Sequence, residues 1–133
     1  VSRDADSYGA VSAAYRLPAE PEDAATRRKS AITDALLGAS EVPLETARAC
    51  MGVAHLAFIC ATKGNTNAVS DAGVAALLAE AACRGAVYNV RINVAALDDR
   101  SRGAKLVAEA TAILAQTQSF AAQATAVVDK AIG

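Results

Sequence analysis

The sequence predicts an all-α chain, an up-and-down helical bundle with a central alanine-rich helix. Three observations carry that expectation. Apolar residues recur at steps of three and four along most of the 133 residues, the period of a helix with one buried face. Hydrophobic residues make up 53% of the chain but aromatics only 4%, with no Trp, so Ala, Val and Leu supply the apolar volume and favour helices that approach closely. No strand-like alternation, internal repeat or low-complexity linker is sustained anywhere. A chain of this length holds one hydrophobic core, so a single domain over residues 1–133 is expected.

The first helix is expected over Asp4 to Arg16, where Tyr8, Val11 and Tyr15 recur at helical spacing. Leu17-Pro18 should end it, because the residue before a proline is pushed out of the α region. In "AEPEDAATRR", Pro21 suits a first turn, and Glu22 and Asp23 suit the positive end of a helix dipole. The second helix then carries Ala24, Arg28, Ala31, Ile32, Ala35, Leu36 and Ala39 on one stripe. Pro43 is expected to interrupt it, so that Leu44, Ala47, Met51, Ala54 and Phe58 continue as a bent partner or a third helix.

Gly64 reads as a C-terminal cap, "NTN" as a locally hydrogen-bonded loop, and Ser70 or Asp71 as the cap of the next helix. That helix has Val74, Leu77, Leu78, Ala81, Gly85, Tyr88 and Ile92 on one face and Ala72, Ala75, Ala79, Ala82, Ala86 and Val90 on the other. With no clear polar side, it is expected to lie inside the bundle with other helices around it. "ALDDRSRG" breaks the pattern, and a last helix follows through Leu106, Ala110, Ile113, Thr117, Phe120, Ala124 and Val127.

Thirteen basic and fourteen acidic residues nearly cancel and form no block, so neither nucleic acid nor an anionic membrane surface is indicated as a partner. No apolar run approaches the roughly 18 uninterrupted residues of a membrane span. Cys50, Cys60 and Cys83 show no CxxC pairing, and reduced, buried, structural thiols in a cytoplasmic protein are expected. His55 is the sole histidine and reads as a core or boundary residue without a second imidazole for a metal, so no metal site is expected. "GNTNAVSDAG" lacks the spacing of a phosphate-binding loop.

Asn89 and Asn93 stand one turn apart on an otherwise apolar helix, and buried amides need hydrogen-bond partners in a neighbouring helix or a polar ligand. Arg84 and Arg91 could grip a carboxylate, although an ordinary ion pair explains them as well. Asp4 and Asp6 are two apart and so point to different sides of a helix, which excludes a paired-carboxylate site. On spacing alone, either reads as a helix-start residue.

The order of "DADSYGAVSAAYRLP", "RRKSAITDALLGASEVPLE" and "KGNTNAVSDAGVAALLAEAACRGAVYNVRIN" resembles the cyclodeaminase/cyclohydrolase family of folate one-carbon enzymes. The likeness runs from Asp4 to about Val128, and its most specific pieces are "EVPLE", the "KGNTNAVSDAG" loop and the "NVRIN" ending. The resemblance implies an all-helical homodimer acting on a tetrahydrofolate derivative, with no further cofactor. The reaction expected is cyclodeamination of 5-formiminotetrahydrofolate to 5,10-methenyltetrahydrofolate and ammonia, with methenyltetrahydrofolate cyclohydrolase as the alternative. The family's proton-accepting aspartate matches Asp4, which makes Asp4 the leading catalytic candidate. Asn67, Ser70 and Asp71 on the matching loop, with Asn89 and Asn93, are the candidate substrate-binding residues.

The family has a helical segment ahead of the Asp4 region, opening with Pro-Gly-Gly-Gly-Ser, and this sequence begins three residues before Asp4. Relative to the family the domain is therefore expected to be N-terminally incomplete. Uncovered apolar faces are expected, to be met by self-association or by a separate N-terminal chain completing the bundle. The competing reading, from another class, is a non-catalytic helical assembly module.

Overall fold

In the computed structural model, which describes residues 2–133, four α-helices follow one another: α1 (Ser2–Tyr15), α2 (Glu22–Lys63), α3 (Val69–Ala95) and α4 (Ala104–Ile132). Short 3-10 turns, Thr66–Ala68 and Arg100–Gly103, lie in the α2–α3 and α3–α4 connections. The described residues contain no strand. Because both connections are short, α2, α3 and α4 run antiparallel in sequence and share one core, while α1 packs chiefly on α2.

The core comes in three layers stacked along the bundle. Leu36, Val94 and Leu97 form one end, with Val11 of α1 packed against it. The middle is the largest, built from Leu44, Ala47, Cys83, Ala86, Val87, Val90, Ala110, Ile113 and Leu114. Ala57, Ala76, Ala121 and Ala124 close the other end. Alanine at so many contacts allows the close helix approach that the composition anticipated.

α2 departs from expectation. Pro43 does not interrupt it: the helix is continuous for 42 residues, with Pro43 inside and buried. Ser40 Oγ bonds back to the Leu36 carbonyl at 2.8 Å and Thr46 Oγ1 to the Val42 carbonyl at 3.2 Å, a pattern that lets a helix bend without ending. Packing of Leu44 and Ala47 against α3 and α4 continues the helix past the proline. One 18-residue window of α2 reaches a mean hydropathy of 1.3, so by length and composition the helix could cross a membrane, although charged residues interrupt its apolar runs. Its buried Leu44, Ala47 and Ala57 belong to the shared core layers, as in a bundle helix.

The capping chemistry also differs. Pro21 sits at the N-cap of α2 rather than in its first turn. Gly64 does follow α2, with its N–H on the Cys60 carbonyl at 2.8 Å, but its φ of −84° is not left-handed. Glycine is needed there for space, because a Cβ would collide with the Cys60 carbonyl oxygen. Neither Ser70 nor Asp71 caps α3: the cap position is Ala68, with no side-chain cap bond. Asn65 instead caps the preceding 3-10 turn, its Oδ1 accepting from the Asn67 N–H at 3.0 Å.

α3 does pack on both α2 and α4, but through its small-residue face: Ala72, Gly73, Ala76, Ala79, Cys83, Ala86, Val87, Val90 and Val94 are buried. Its other face, with Val74, Leu77, Leu78, Tyr88 and Ile92, is exposed, so α3 is not enclosed on all sides. A helix apolar around its girth needs partners on both sides, and α2 and α4 supply one. Of the three cysteines, Cys83 is buried, Cys50 half-buried and Cys60 exposed, so the expectation of buried thiols fails at Cys60.

Candidate functional site

Asp4 stands in the first turn of α1, where the helix dipole favours a carboxylate. The preceding residue fixes this end of α1 to α2. Arg3 makes a two-pronged ion pair with Glu45 of the "EVPLE" stretch, with Nη2 3.0 Å from Oε1. That bond holds the Glu45 carboxyl below the ordinary carboxylate range and raises the Arg3 guanidinium. Tying Arg3 to Glu45 leaves Asp4 facing a groove. At the far end of α1, Arg28 donates to the Tyr15 carbonyl at 3.1 Å and lies 6.0 Å from the Tyr15 ring. Both ends of α1 are thus anchored to α2.

The groove has a volume of about 310 Å³ and is lined by Asp4, Ser7, Tyr8 and Val11 of α1, Ala39 and Pro43 of α2, and Asn89 and Asn93 of α3. Two neighbouring depressions also open onto Asp4, one shared with Asn89 and Thr46 and one with Glu45 and Thr46. Three of the sequence-selected residues therefore meet: the carboxylate of Asp4 shares one apolar-floored groove with the amides of Asn89 and Asn93. Asn93 Nδ2 donates to the Ala39 carbonyl at 3.1 Å, and Asn89 is exposed one turn earlier. A carboxylate beside amides and a hydroxyl can accept a proton and orient a polar ligand.

Asn67, Ser70 and Asp71 lie elsewhere. Asp71 and Asn89 are separated along α3 by roughly 27 Å, from the rise of an α-helix. Asp71 lines a different, mostly apolar groove of about 410 Å³ with Val53, Leu56, Cys60 and Ala72. Within one chain the "KGNTNAVSDAG" loop and Asp4 do not form a common site.

The remaining candidates have ordinary partners. Arg84 pairs with Glu80 one turn away at 2.9 Å, and Arg91 donates to Thr111 of α4 at 3.3 Å. His55 is a boundary residue, exposed and packed on Phe120 with ring centroids 4.6 Å apart. A further depression of about 280 Å³ lies beside Tyr15, Arg28, Lys29, Leu36 and Asp98. Its charges are already matched, Lys29 by Asp98 at 3.0 Å and Arg28 by the Tyr15 carbonyl. Sequence reasoning did not single out Pro43 or Tyr8 as groove-lining residues. Pro43 carried a signal, a proline in an otherwise helical stripe, but it was read only as a break.

Residues 1–112 match the family model described as formiminotransferase-cyclodeaminase. The chain belongs to that family. Over 116 residues it is 40% identical to the methenyltetrahydrofolate cyclohydrolase of Methylorubrum extorquens, an alignment covering 87% of this chain and 56% of the relative. Its fold is similar to that of the crystal structure of formiminotetrahydrofolate cyclodeaminase from Thermotoga maritima, with a TM-score of 0.83 at 24% identity, covering 98% of this chain and 61% of that one. The chain thus spans little more than half the length of the curated relative it matches. The formiminotransferase-cyclodeaminase likeness takes in α1, α2 and α3, the three helices that form the groove around Asp4.

Proposed function

We propose that this chain serves folate one-carbon chemistry as a formiminotetrahydrofolate cyclodeaminase, with Asp4 as the proton acceptor. The observation that carries the reading is the shared groove of Asp4, Asn89 and Asn93. In this reaction N10 of 5-formiminotetrahydrofolate attacks the carbon of the protonated formimino group, the N10 proton passes to the Asp4 carboxylate and from it to the departing nitrogen, and the carbon–nitrogen bond breaks to release ammonia and leave the 5,10-methenyl cation. The carboxylate also stabilises the cationic amidinium carbon of the 5,10-methenyl product. A second reading, methenyltetrahydrofolate cyclohydrolase, is favoured by the 40% identical relative of that name. There Asp4 takes a proton from the water that adds to the methenyl carbon.

The exposed Val74, Leu77, Leu78 and Ile92 face of α3 suits a helical partner, a second copy or a separate N-terminal chain. With either partner, the chain acts as part of a soluble cytoplasmic assembly on a folate substrate, without a further cofactor. The test supplies 5-formiminotetrahydrofolate and 5,10-methenyltetrahydrofolate separately, following ammonia release and loss of methenyl absorbance. Ammonia release, lowered at least 100-fold by Asp4→Asn, is expected. Methenyl hydrolysis without ammonia release selects the second reading. Absence of both activities and of folate binding, alone and with an added N-terminal segment, points to the non-catalytic assembly module.

A further inference from the structure

Pro43 has no backbone N–H, so the helical bond that residue 43 would donate to the carbonyl four residues earlier cannot form. That carbonyl belongs to Ala39. Ala39 and Pro43 are both buried, where an acceptor left without a donor is costly. Asn93 of α3 reaches this carbonyl, its Nδ2 3.1 Å from the Ala39 oxygen. The orientation of the amide follows from chemistry, because a carbonyl only accepts and only the NH2 end of the side chain can donate to it.

We propose that Asn93 is a positioning residue whose carboxamide replaces the main-chain donor removed by Pro43, and so sets how α2 and α3 stand at the floor of the Asp4 groove. Ala39, Pro43 and Asn93 line that groove together with Asp4, Ser7 and Tyr8 of α1. "EVPLE" and "NVRIN", which lie about 50 residues apart in sequence, then supply the two halves of one device: a proline that opens the helical ladder and an asparagine that closes it from the neighbouring helix. α2 continues through Pro43 without a break, as expected if the lost bond is replaced from outside. With one Nδ2–H engaged on Ala39, the oxygen end of Asn93 offers an acceptor to a ligand and its second N–H remains a donor. The bond stands independently of the folate reading; its effect on turnover rests on that reading.

The test is a double-mutant cycle on the full chain, using Asn93→Ala, Pro43→Ala and the pair, read first by thermal unfolding without ligand. Alanine at 43 restores the N–H that bonds Ala39. In the Pro43 background, Asn93→Ala is expected to lower Tm by roughly 3–8 °C. In the Pro43→Ala background its effect should shrink to about a quarter of that or less. Equal losses in the two backgrounds would overturn the proposal. Asn93→Leu, similar in shape but without a donor, carries the same cycle if the alanine variant does not fold.

Folate kinetics on the same four proteins supply the second reading. Recovery of both kcat and KM in the double variant, relative to Asn93→Ala, is the positioning result. Recovered Tm with turnover still lost would make Asn93 a direct ligand contact and overturn the positioning role. If the parent chain turns over no folate, the folate reading fails, and the unfolding cycle still decides whether Asn93 replaces the missing donor.

Discussion

Leu44 and Leu78 place one side chain in opposite surroundings, and truncating each tests the packing of the bundle. Leu44 is fully buried in the middle core layer between Ala47, Cys83, Val87 and Ile113. Leu78 is 65% exposed on the outer face of α3. Removing buried leucine carbons costs the transfer term plus a cavity term, about 2.7–5 kcal/mol in well-packed cores. The neighbours of Leu44 are short and held by three helices, so little can move into the hole, and a loss of about 4 kcal/mol is expected for Leu44→Ala. For 133 residues the unfolding entropy is about 0.28 kcal/mol/K, which converts that loss to a Tm decrease of about 14 °C. Leu78→Ala should stay within about 0.5 kcal/mol, or about 2 °C. The assay is urea and thermal unfolding followed by far-UV circular dichroism at several protein concentrations. A loss below about 1.5 kcal/mol at Leu44 would refute the packing argument, since it would fall outside the range for a filled core. A Leu78 loss matching that of Leu44 would show that the outer face of α3 is covered in solution.

Two further outcomes follow from charges and thiols. The Glu45 carboxyl is held low by its hydrogen bonds from Arg3, and that of Asp99 by hydrogen bonds from Ser101. A depressed carboxyl contributes stability that is present above its unfolded value, near pH 4, and is lost as pH falls through the folded value. Tm differences between the parent and Glu45→Gln or Asp99→Asn should therefore be present at pH 7 and vanish in strong acid, with the Glu45 difference also shrinking in high salt; a difference that persists unchanged below pH 3 would contradict this assignment. Thiol labelling under native conditions should reach exposed Cys60 first. Cys50 should follow slowly because burial, then neighbouring Cys83, pushes its thiol up. Cys83, with its Sγ 3.4 Å from Thr117 Oγ1 in the core, should react only on unfolding, and equal labelling rates for all three would count against the packing described.

Helical periodicity made the elements legible. The positions of α1, α3 and α4, and the cap at Gly64, follow from local spacing and turn chemistry, which act over a few residues and need no distant partner. The asparagines of "NVRIN" could also be selected as polar residues in an apolar context, whereas Asp4 was selected by the family resemblance. Their meeting in one groove could not be read from spacing, because Asp4 and Asn89 come together only when α1 and α3 both pack beside the Ala39–Pro43 turn of α2.

By itself, then, the sequence determined the helices and the alanine-rich contacts between them, since propensity and period are properties of short windows, while the choice of Asp4 as the catalytic candidate rested on the family resemblance. Tertiary structure decided which of those residues share a site, which face of α3 is buried, and whether a proline ends its helix. The last case shows the physical reason. Pro43 removes a local bond, and only the long-range packing of α2 on α3, with Asn93 reaching the Ala39 carbonyl, supplies what the local rule says is missing.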